Sequence, residues 1–334
     1  MSFDSRIPTF EPQITDTFVM VEPNYFGFNA GTAQTNVFQY DLETTGLSKE
    51  AIRDCALSEF DEMVAKLRSN NIRVLTLTSP ENTIVKDAVF PNNWFSHHHD
   101  TATHNERREN GLLILYPMLD ISRRAERQKD ALVNVLIKEN LSVSILDISL
   151  SENDGLILEG TGSMVLARSQ KIAFAMESER TSRQAFVSFC KRMGYKPVFF
   201  HAEFPDKNGK PTPVYHTNVV MSIGNDFAVI CLESIPSEDE RTYVEAMIRE
   251  CGKEIIPISL KQLGDFCGNI LHVRSTTEQS YIVLSNRAFN AFLPEQLKQL
   301  ERFGTLLQVY IPTIESGGGS ARCMMAEIFP YDPS

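Results

Sequence analysis

The sequence lacks the features that define several large classes of protein. No apolar run approaches the roughly 18 residues that can cross a bilayer. The opening stretch MSFDSRIPTF has no basic segment leading into an apolar one, as a signal peptide would. The 17 glycines and six cysteines are too few for a collagen-like chain or a disulfide-stapled miniprotein. We therefore expect an ordinary globular protein of the cytoplasm.

Positive charge is also scarce. The 32 Lys and Arg residues are outnumbered by 43 Asp and Glu residues, which gives a net charge of −11. Affinity for phosphate groups comes chiefly from Lys and Arg, and an acidic surface opposes binding to nucleic acid or anionic membrane. We expect neither partner, which leaves a small-molecule substrate. Association with further copies of the chain stays open.

Metal-ligand patterns are missing as well. The six cysteines form no CxxC pair. His97, His98 and His99 are consecutive, and adjacent side chains diverge rather than converge on one ion. With His104 in the same polar stretch, they predict an exposed loop, and residues 97–110 are a candidate lid on polarity alone.

Along the sequence, predicted strands alternate with predicted helices. With 334 residues, 42% apolar, and no low-complexity linker, residues 1–334 are treated as one domain. Helical periodicity is found at residues 47–70, 122–139, 178–193, 238–250 and 294–303. Short β-rich runs are found at residues 71–77, 112–115, 142–146, 163–167, 171–175, 219–223, 227–231, 270–273, 281–284 and 323–328. This alternation predicts an α/β protein.

A short motif of polar and small residues recurs just before several of the strands. It occurs as PNNW, LEGTGS, YHTN, FCGN and ESGGGSARC, with successive motifs about 53–66 residues apart. Such a period suggests a ring of five repeats that each direct one motif at a common centre. Chance spacing of turns rich in Gly and Asn is the alternative.

Cys323 stands out among the cysteines. It follows the run Gly317–Ser320, whose backbone can approach a ligand closely. Next to Arg322, which would favour the thiolate, and at the start of a strand, it is a candidate nucleophile. A buried, inert thiol is the alternative.

Two further motifs carry candidate acid–base groups. His216, two residues before Asn218, has a side chain that titrates near physiological pH and can serve as general acid or base, although a structural His is equally compatible. Glu159 lies between apolar residues and glycines, so it needs a partner such as a protonated His. The pair Gly160 and Gly162 lacks the third glycine of a nucleotide-binding motif, which disfavours a nucleotide.

The segment from Asp87 to Trp94 combines a carboxylate, the amides of Asn92 and Asn93, and the only tryptophan. Asn-rich segments are commonly just turns. The apolar neighbours on both sides favour a ligand-facing role here.

The order of these motifs resembles the guanidino-group-modifying superfamily of arginine deiminases, dimethylarginine dimethylaminohydrolases and amidinotransferases. Within it the sequence is most similar to the citrulline-utilisation hydrolases, through FPNNW, LEGTGSMVL, SERT, HTNVVMSIG and SGGGSARCM. The resemblance covers about residues 16–330. It implies a five-bladed α/β propeller (the pentein fold) with pseudo-fivefold symmetry, and no metal or organic cofactor.

The resemblance also implies roles for individual residues. Cys323 matches the nucleophile, His216 the general acid/base, and Glu159 the acidic residue that pairs with that His. Asp87 resembles the carboxylate that holds the substrate's α-amino group, and Arg180 an arginine that anchors its α-carboxylate.

Three departures from the family pattern bear on the substrate. Asn92 and Asn93 stand where the dimethylarginine enzymes have two carboxylates, and Asn218 stands where arginine deiminases have Asp. A second carboxylate-binding arginine is missing near Tyr116. Amides both donate to a carbonyl and accept from N–H, which suits a neutral ureido group, whereas a guanidinium would lack counter-charge. The sequence therefore predicts a hydrolase that converts citrulline to ornithine, ammonia and carbon dioxide, with Asn218 and Asn93 stabilising the oxyanion and a protonated His216 as acid.

Three alternatives remain. The first is hydrolysis of arginine or a methylated arginine, and the second is a transfer in which an amine replaces water, as in amidinotransferases. The third is a non-catalytic propeller that binds an amino acid. A papain-like protease is disfavoured because its nucleophile comes early in the chain.

Overall fold

The computed structural model describes residues 11–80, 83–99 and 111–330, which form a mixed α/β fold. The strands are β1 (Thr17–Val21), β2 (Arg73–Leu77), β3 (Phe95–His98), β4 (Leu112–Leu115), β5 (Ser144–Asp147), β6 (Met164–Ala167), β7 (Ile172–Met176), β8 (Lys196–Phe200), β9 (Glu203–Pro205), β10 (Pro211–Pro213), β11 (Met221–Ile223), β12 (Phe227–Ile230), β13 (Glu254–Pro257), β14 (Leu271–Arg274), β15 (Ser280–Ser285), β16 (Thr305–Val309) and β17 (Ala326–Ile328).

Helices connect many of these strands. The α-helices are α1 (Lys49–Ser69), α2 (Ile121–Arg124), α3 (Lys129–Lys138), α4 (Gly160–Ser163), α5 (Arg183–Met193), α6 (Thr217–Val220), α7 (Glu238–Glu250), α8 (Leu260–Gly264), α9 (Asn286–Ala291), α10 (Pro294–Glu301) and α11 (Pro312–Glu315). Short 3₁₀ helices lie at Thr32–Gln34, Leu42–Thr45, Pro91–Asn93, Ser149–Asp154 and Leu232–Ser234. None of the helices in the described part of the chain is long and apolar enough to cross a membrane.

Within the described residues, five three-stranded sheets share one plan. In each, a first strand runs antiparallel to the middle strand, and the middle strand runs parallel to a third. Their strand orders are β17-β1-β2, β3-β4-β5, β6-β7-β8, β11-β12-β13 and β14-β15-β16. A helical segment separates each middle strand from its parallel partner, because a parallel pair cannot be joined by a tight turn.

Helix α1 shows how local sequence specifies these crossovers. The Ser48 hydroxyl caps its N-terminus by accepting a hydrogen bond from the N–H of Ala51, at 3.1 Å. Apolar side chains then recur every three or four residues and bury one face of the helix; they are Ile52, Ala56, Phe60, Met63 and Leu67. Helices α3, α5, α7 and α10 likewise fall inside the ranges that periodicity predicts.

The apolar core links each sheet to the next along the chain. One cluster joins β1 and β2 to β4, and another joins β4 to β6 and β7. A third joins β7 and β8 to β12 and β15, and a fourth joins β15 to β1 and α1. The five sheets therefore pack through side chains that neighbouring sheets share.

Each of the five recurrent motifs lies directly before the first strand of its sheet. Asn93 precedes β3, Glu159 precedes β6, His216 precedes β11, Asn269 precedes β14 and Cys323 precedes β17. The regular motif spacing in the sequence thus reflects a regular repeat of sheets.

Three local predictions were wrong. Val219 and Val220 belong to helix α6 rather than to the strand predicted at residues 219–223, and Cys323 lies in a turn three residues before β17 rather than at its start. His97 and His98 are buried in β3 rather than exposed in a loop. The rest of the candidate lid, residues 100–110 with His104, lies outside the described residues.

Candidate active site

The Cys323 thiol is buried and receives two hydrogen bonds from side-chain amides. The backbone N–H of Cys323 donates to the carbonyl of Ser320 at 2.9 Å, which closes the turn after the glycine run. The Nδ2 atoms of Asn218 and Asn269 each lie 3.3 Å from Sγ. Arg322 does not serve the thiolate as expected, because its guanidinium is bonded to the Met325 carbonyl and to Glu327.

His216 and Glu159 form a buried hydrogen-bonded pair. Nε2 of His216 lies 2.8 Å from Oε2 of Glu159, and both side chains are about 1% exposed. Burial lowers the pKa of His216 to about 4, although the bond to Glu159 acts in the opposite direction. His216 is therefore neutral near pH 7 in this structure, which differs from the expectation of a protonated His.

Glu159 remains ionised because cations surround it. Burial alone would raise its pKa, but Arg180, His216 and Arg123 outweigh that effect and lower the pKa to about 2. The guanidinium nitrogens of Arg180 and Arg123 approach its Oε2 at 3.6 and 3.9 Å. Its Oε1 accepts a hydrogen bond from the Leu119 N–H at 3.0 Å. Glu159 thus holds His216 through a fixed negative charge.

Two glycines allow this pair to approach the PNNW segment. Gly160 has a φ of +49°, and a Cβ on it would lie 2.4 Å from the Asn92 carbonyl oxygen. A Cβ on Gly162 would lie 2.3 Å from Nδ2 of Asn93 and 2.7 Å from Nδ1 of His216. Both positions need glycine because the Asn92 carbonyl and the side chains of Asn93 and His216 leave no space for a methyl group.

Arg123 is a site residue that the sequence analysis missed. Although it lies in the short helix α2, its side chain is buried and donates from Nη1 to Oδ1 of Asn93 at 2.9 Å. It forms an ion pair with Glu126 at 2.8 Å and approaches Asp87 at 3.9 Å. Two arginines in one helix turn, Arg123 and Arg124, look like a solvated surface, so only tertiary contacts reveal this role.

Asp87 and Arg180 lie on the same side of the site and are held by a shared loop. Oδ2 of Asp87 accepts from the amide of Asn29 at 2.8 Å and from the hydroxyl of Thr32 at 3.0 Å, while its Oδ1 has no partner among the described residues. Arg180 donates from Nη2 to the Thr32 carbonyl at 2.8 Å and to the Thr35 hydroxyl at 2.9 Å. Opposite charges are thus positioned where an α-amino acid could use both.

Asn92 differs from its neighbour Asn93. Both side-chain polar atoms of Asn92 are buried without a partner in the described structure, and only its backbone carbonyl is bonded, to the Thr161 hydroxyl at 3.3 Å. Asn93 lines the cavity beside Cys323, whereas Asn92 does not. The structure therefore brings one of the two adjacent amides into the site.

A small cavity of about 10 Å³ lies between these groups, which is room for about one water molecule. Its walls include Asp87, Asn93, Arg123, Arg180, Tyr215, His216 and Cys323. Asn218 contacts the sulfur and Glu159 contacts His216, but neither lines the cavity itself. An amino acid could enter only if this site opened.

The consecutive histidines lie away from this cavity. Nδ1 of His97 accepts from the Phe329 N–H at 3.2 Å, and His98 bonds the Ser96 hydroxyl at 2.7 Å. Burial lowers the pKa of His97 to about 3. Across the part of the chain that the structure describes, no group of His, Cys, Asp and Glu side chains is arranged to hold a metal ion. These histidines therefore belong to the core.

The arrangement can carry out covalent catalysis at an electrophilic carbon. It places a thiol with two amide donors and a neutral imidazole, a potential general base, on the walls of one cavity. A fixed carboxylate stabilises the imidazolium that would result, and an unpartnered amide N–H of Asn93 is available for a developing oxyanion.

Comparison with known proteins identifies the family of the chain. The family model described as N,N-dimethylarginine dimethylhydrolase, eukaryotic, matches residues 22–330. No curated protein matches the sequence significantly.

Among solved structures, the N-terminal domain of ArgZ, an arginine dihydrolase from cyanobacteria bound to its substrate, superposes with a TM-score of 0.68 at 12% identity, covering 93% of this chain and 98% of that one. AgrE in complex with ornithine and NAD⁺ gives 0.66 at 15% identity, covering 93% of this chain and 39% of that one. DDAH from Pseudomonas aeruginosa in complex with citrulline gives 0.55 at 12% identity, covering 94% and 99%.

The family model spans the candidate site from Asp87 to Cys323. The chain therefore belongs to the N,N-dimethylarginine dimethylhydrolase family, a family of hydrolases that act on carbon–nitrogen bonds within the guanidino-group-modifying superfamily.

Proposed function

We propose that this protein hydrolyses a neutral ureido amino acid, citrulline, to ornithine, ammonia and carbon dioxide, with Cys323 as nucleophile. The observation that carries the proposal is the pairing of charges around the cavity. Arg123, Arg180 and Asn93 face it, and the Arg123 guanidinium already occupies Oδ1 of Asn93.

Two of the nearby carboxylates are committed to other groups, and the third, Asp87, keeps an Oδ1 without a partner in the described structure, which we assign to the substrate's α-ammonium group. Glu159 is paired with His216 and Arg180, and Glu126 is paired with Arg123. With Asp87 holding the α-ammonium group, a substrate guanidinium would meet buried Arg123 and no remaining counter-charge, which is costly in a medium of low dielectric constant. A ureido group carries no charge and can accept the free N–H of Asn93 through its oxygen.

The reaction begins with transfer of the Cys323 thiol proton to neutral His216. The sulfur attacks the ureido carbon, a C–S bond forms, and the carbonyl electron pair moves onto oxygen. Nδ2 of Asn93 donates to that oxyanion, while Glu159 stabilises the imidazolium. Donors placed where charge develops usually supply the largest share of such catalysis.

Collapse of this intermediate expels one nitrogen, which takes the proton from His216. Loss of ornithine leaves an S-carbamoyl enzyme, and loss of ammonia leaves an ornithine-bearing thiocarbamate. His216 then takes a proton from water, the resulting hydroxide adds to the carbon bound to sulfur, and Cys323 leaves as a thiolate that recovers the proton from His216. The carbamic acid released breaks down to carbon dioxide and an amine, so one citrulline and one water give ornithine, ammonia and carbon dioxide.

The far end of the substrate has partners as well. Oδ1 of Asp87 has no partner in the described structure and can accept from the α-ammonium group. Arg180 can exchange its bonds to Thr32 and Thr35 for the α-carboxylate.

Hydrolysis of arginine or dimethylarginine is the second candidate. It is favoured by the family match and by the substrates named for ArgZ and DDAH-type proteins. In that reaction the same Cys323 and His216 would act, but a carboxylate would have to become free to pair with the guanidinium.

For the architecture we propose a single domain, residues 1–334, folded as a five-bladed propeller. Five sheets of one plan, linked in chain order by shared core clusters, with one motif ahead of each first strand, support a pseudo-fivefold ring. All six cysteines are free, which suits the reducing cytoplasm that we propose as its location.

The test is product analysis of the purified full-length chain given citrulline, arginine or dimethylarginine separately. We expect ornithine to form from citrulline alone. The activity should be lost in Cys323→Ser and kept in Cys231→Ser, because Cys231 is a matched buried thiol outside the site. If citrulline or ornithine forms from arginine, the ureido assignment is wrong and the substrate is a guanidino compound. Turnover only when an amine acceptor is added would indicate a transferase, and binding without turnover would indicate a non-catalytic propeller.

A further inference from the structure

We propose that Asn269 is a catalytic residue that holds and activates the Cys323 sulfur together with Asn218. The inference rests on the proposed function in one respect, that Cys323 is the nucleophile. Both Nδ2 atoms lie 3.3 Å from Sγ, and both side chains are at most 1% exposed. We call Asn218 and Asn269 the two-amide cradle.

Hydrogen-bond geometry assigns both protons of the Asn269 amide. One is directed to the carbonyl oxygen of Asn218 at 2.9 Å and the other to Sγ of Cys323. The first bond fixes the orientation of the amide, so the second N–H cannot turn away from the sulfur. A donor held in this way favours the thiolate over the thiol, because hydrogen bonds to charged acceptors are about twice as strong as those to neutral ones.

The loop that carries Asn269 is shaped for this position. Phe266, fully buried, has a φ of +61°, a conformation that costs a bulky residue free energy and is found mainly at functional sites. Its carbonyl accepts the Asn269 N–H at 2.8 Å. A Cβ on Gly268 would lie 2.2 Å from the Val219 carbonyl oxygen, so the loop packs backbone to backbone against the turn that carries Asn218.

The two-amide cradle acts on the nucleophile rather than on the substrate. Neither Asn218 nor Asn269 lines the cavity, while Asn93 does. The amides therefore contact the sulfur without forming the cavity wall where a substrate would sit. Because the donors are uncharged, they stabilise the thiolate without adding a cation near a neutral ureido group.

The test measures alkylation of Cys323 by iodoacetamide at pH 7 in the substrate-free full-length protein. Peptide mass spectrometry follows Cys323 and, as an internal control, the exposed Cys55. Burial raises the pKa of Cys231 and Cys251 to about 11, so these thiols do not compete. Asn269→Asp retains the side-chain volume and removes the donor, whereas Asn269→Ala removes the whole amide.

We expect both Asn269 variants to slow Cys323 alkylation about tenfold or more, with Cys55 unchanged, because a hydrogen bond to a charged group is worth a factor of this order. Rates at or above that of the unmodified protein in both variants would overturn the proposal.

A double-mutant cycle with Asn218→Ala separates direct donation from simple support of Asn218. Under direct donation, Asn269→Ala slows alkylation further in the Asn218→Ala background. No further slowing there would show that Asn269 acts only through Asn218 and would refute a catalytic role.

This readout is independent of the substrate assignment. If citrulline is not turned over but Cys323 alkylation depends on Asn269, the two-amide cradle stands and only the substrate proposal fails. If Cys323 reacts no faster than a buried thiol such as Cys231 in the unmodified protein, the nucleophile assignment itself fails.

Discussion

Asn93→Asp is the change that most directly tests the ureido assignment. Asp keeps the shape of Asn, and one of its oxygens can retain the contact with Nη1 of Arg123, now 2.9 Å from Oδ1. The other oxygen replaces Nδ2, the buried N–H that has no partner in the described structure. The variant therefore exchanges an oxyanion donor for an acceptor while Arg123 compensates the added charge.

The expected magnitude follows from that exchange. Removing one oxyanion donor costs about 10²–10³ in kcat, or about 3–4 kcal/mol of transition-state stabilisation. We expect kcat/KM for citrulline to fall by about that factor, mainly through kcat, and turnover of arginine to appear or rise because the site gains a carboxylate. The assay is ornithine, citrulline and ammonia release under initial-rate conditions, with thermal unfolding to confirm that the variant is folded.

Two matched variants complete the experiment. Asn93→Ala removes the donor without adding charge, so it should lose citrulline turnover and gain none with arginine. Asn92→Ala removes the adjacent amide that does not line the cavity, and should change kcat by less than about tenfold. Equal losses in Asn92→Ala and Asn93→Ala, or a fully active Asn93→Asp, would refute the reasoning.

Further predictions follow from the pKa values and the packing. Because burial lowers the pKa of His216 to about 4, kcat/KM should be level from about pH 5 to 7 and fall only as acid protonates the imidazole below about pH 4; an acid limb near pH 6.5 would contradict this. Gly162→Ala should reduce kcat at least about 100-fold, because the added methyl group displaces Asn93 and His216. Steady-state kinetics test this, and an unchanged melting temperature confirms that the variant is folded. Glu11→Gln should lower the free energy of unfolding in urea by about 3–5 kcal/mol, because it removes the carboxylate 2.9 Å from the buried Arg168 and leaves Glu327 as a counter-charge; a loss below about 1 kcal/mol would argue against the pair.

Stability at low pH should show the same ion pair. Arg168, Lys171 and the bond from His98 outweigh burial and hold the pKa of Glu11 far below its ordinary value. A carboxylate whose folded-state pKa is depressed stabilises the protein above its unfolded pKa, and the contribution is lost as pH falls. Urea unfolding between pH 7 and 3 should therefore lose more free energy in the unmodified protein than in Glu11→Gln.

The sequence predicted the recurrence of motif and first strand better than the complete set of strands in each sheet. Polar motifs ahead of first strands were visible because Gly, Asn and His interrupt apolar runs at regular intervals. The parallel third strands β8, β13 and β16 were not predicted, since each mixes exposed and buried residues without strict alternation, as in Lys196–Phe200. Their identity depends on pairing with a distant middle strand.

Site residues were predictable where their type is chemically unusual. A cysteine after glycines and a glutamate between apolar residues stand out in any sequence. Arg123 did not, because its burial comes from contacts with Asn93 and Glu126 that no local pattern shows. Asn269 was visible as part of the FCGN motif, yet nothing in the sequence indicates that its amide contacts Cys323.

Sheet β17-β1-β2 places the end of the described chain beside its beginning, with Ile328 opposite Thr17. Cys323 and the glycine turn before it belong to the segment that leads into β17. During synthesis, the ribosome therefore adds the proposed nucleophile after every other residue of the candidate site. A nascent chain that has folded the preceding four sheets can hold His216 and Glu159 in place but has no sulfur to attack with. Since this last pairing spans almost the whole chain, it should also be among the slowest contacts to form, so the appearance of a reactive thiol would report completion of folding.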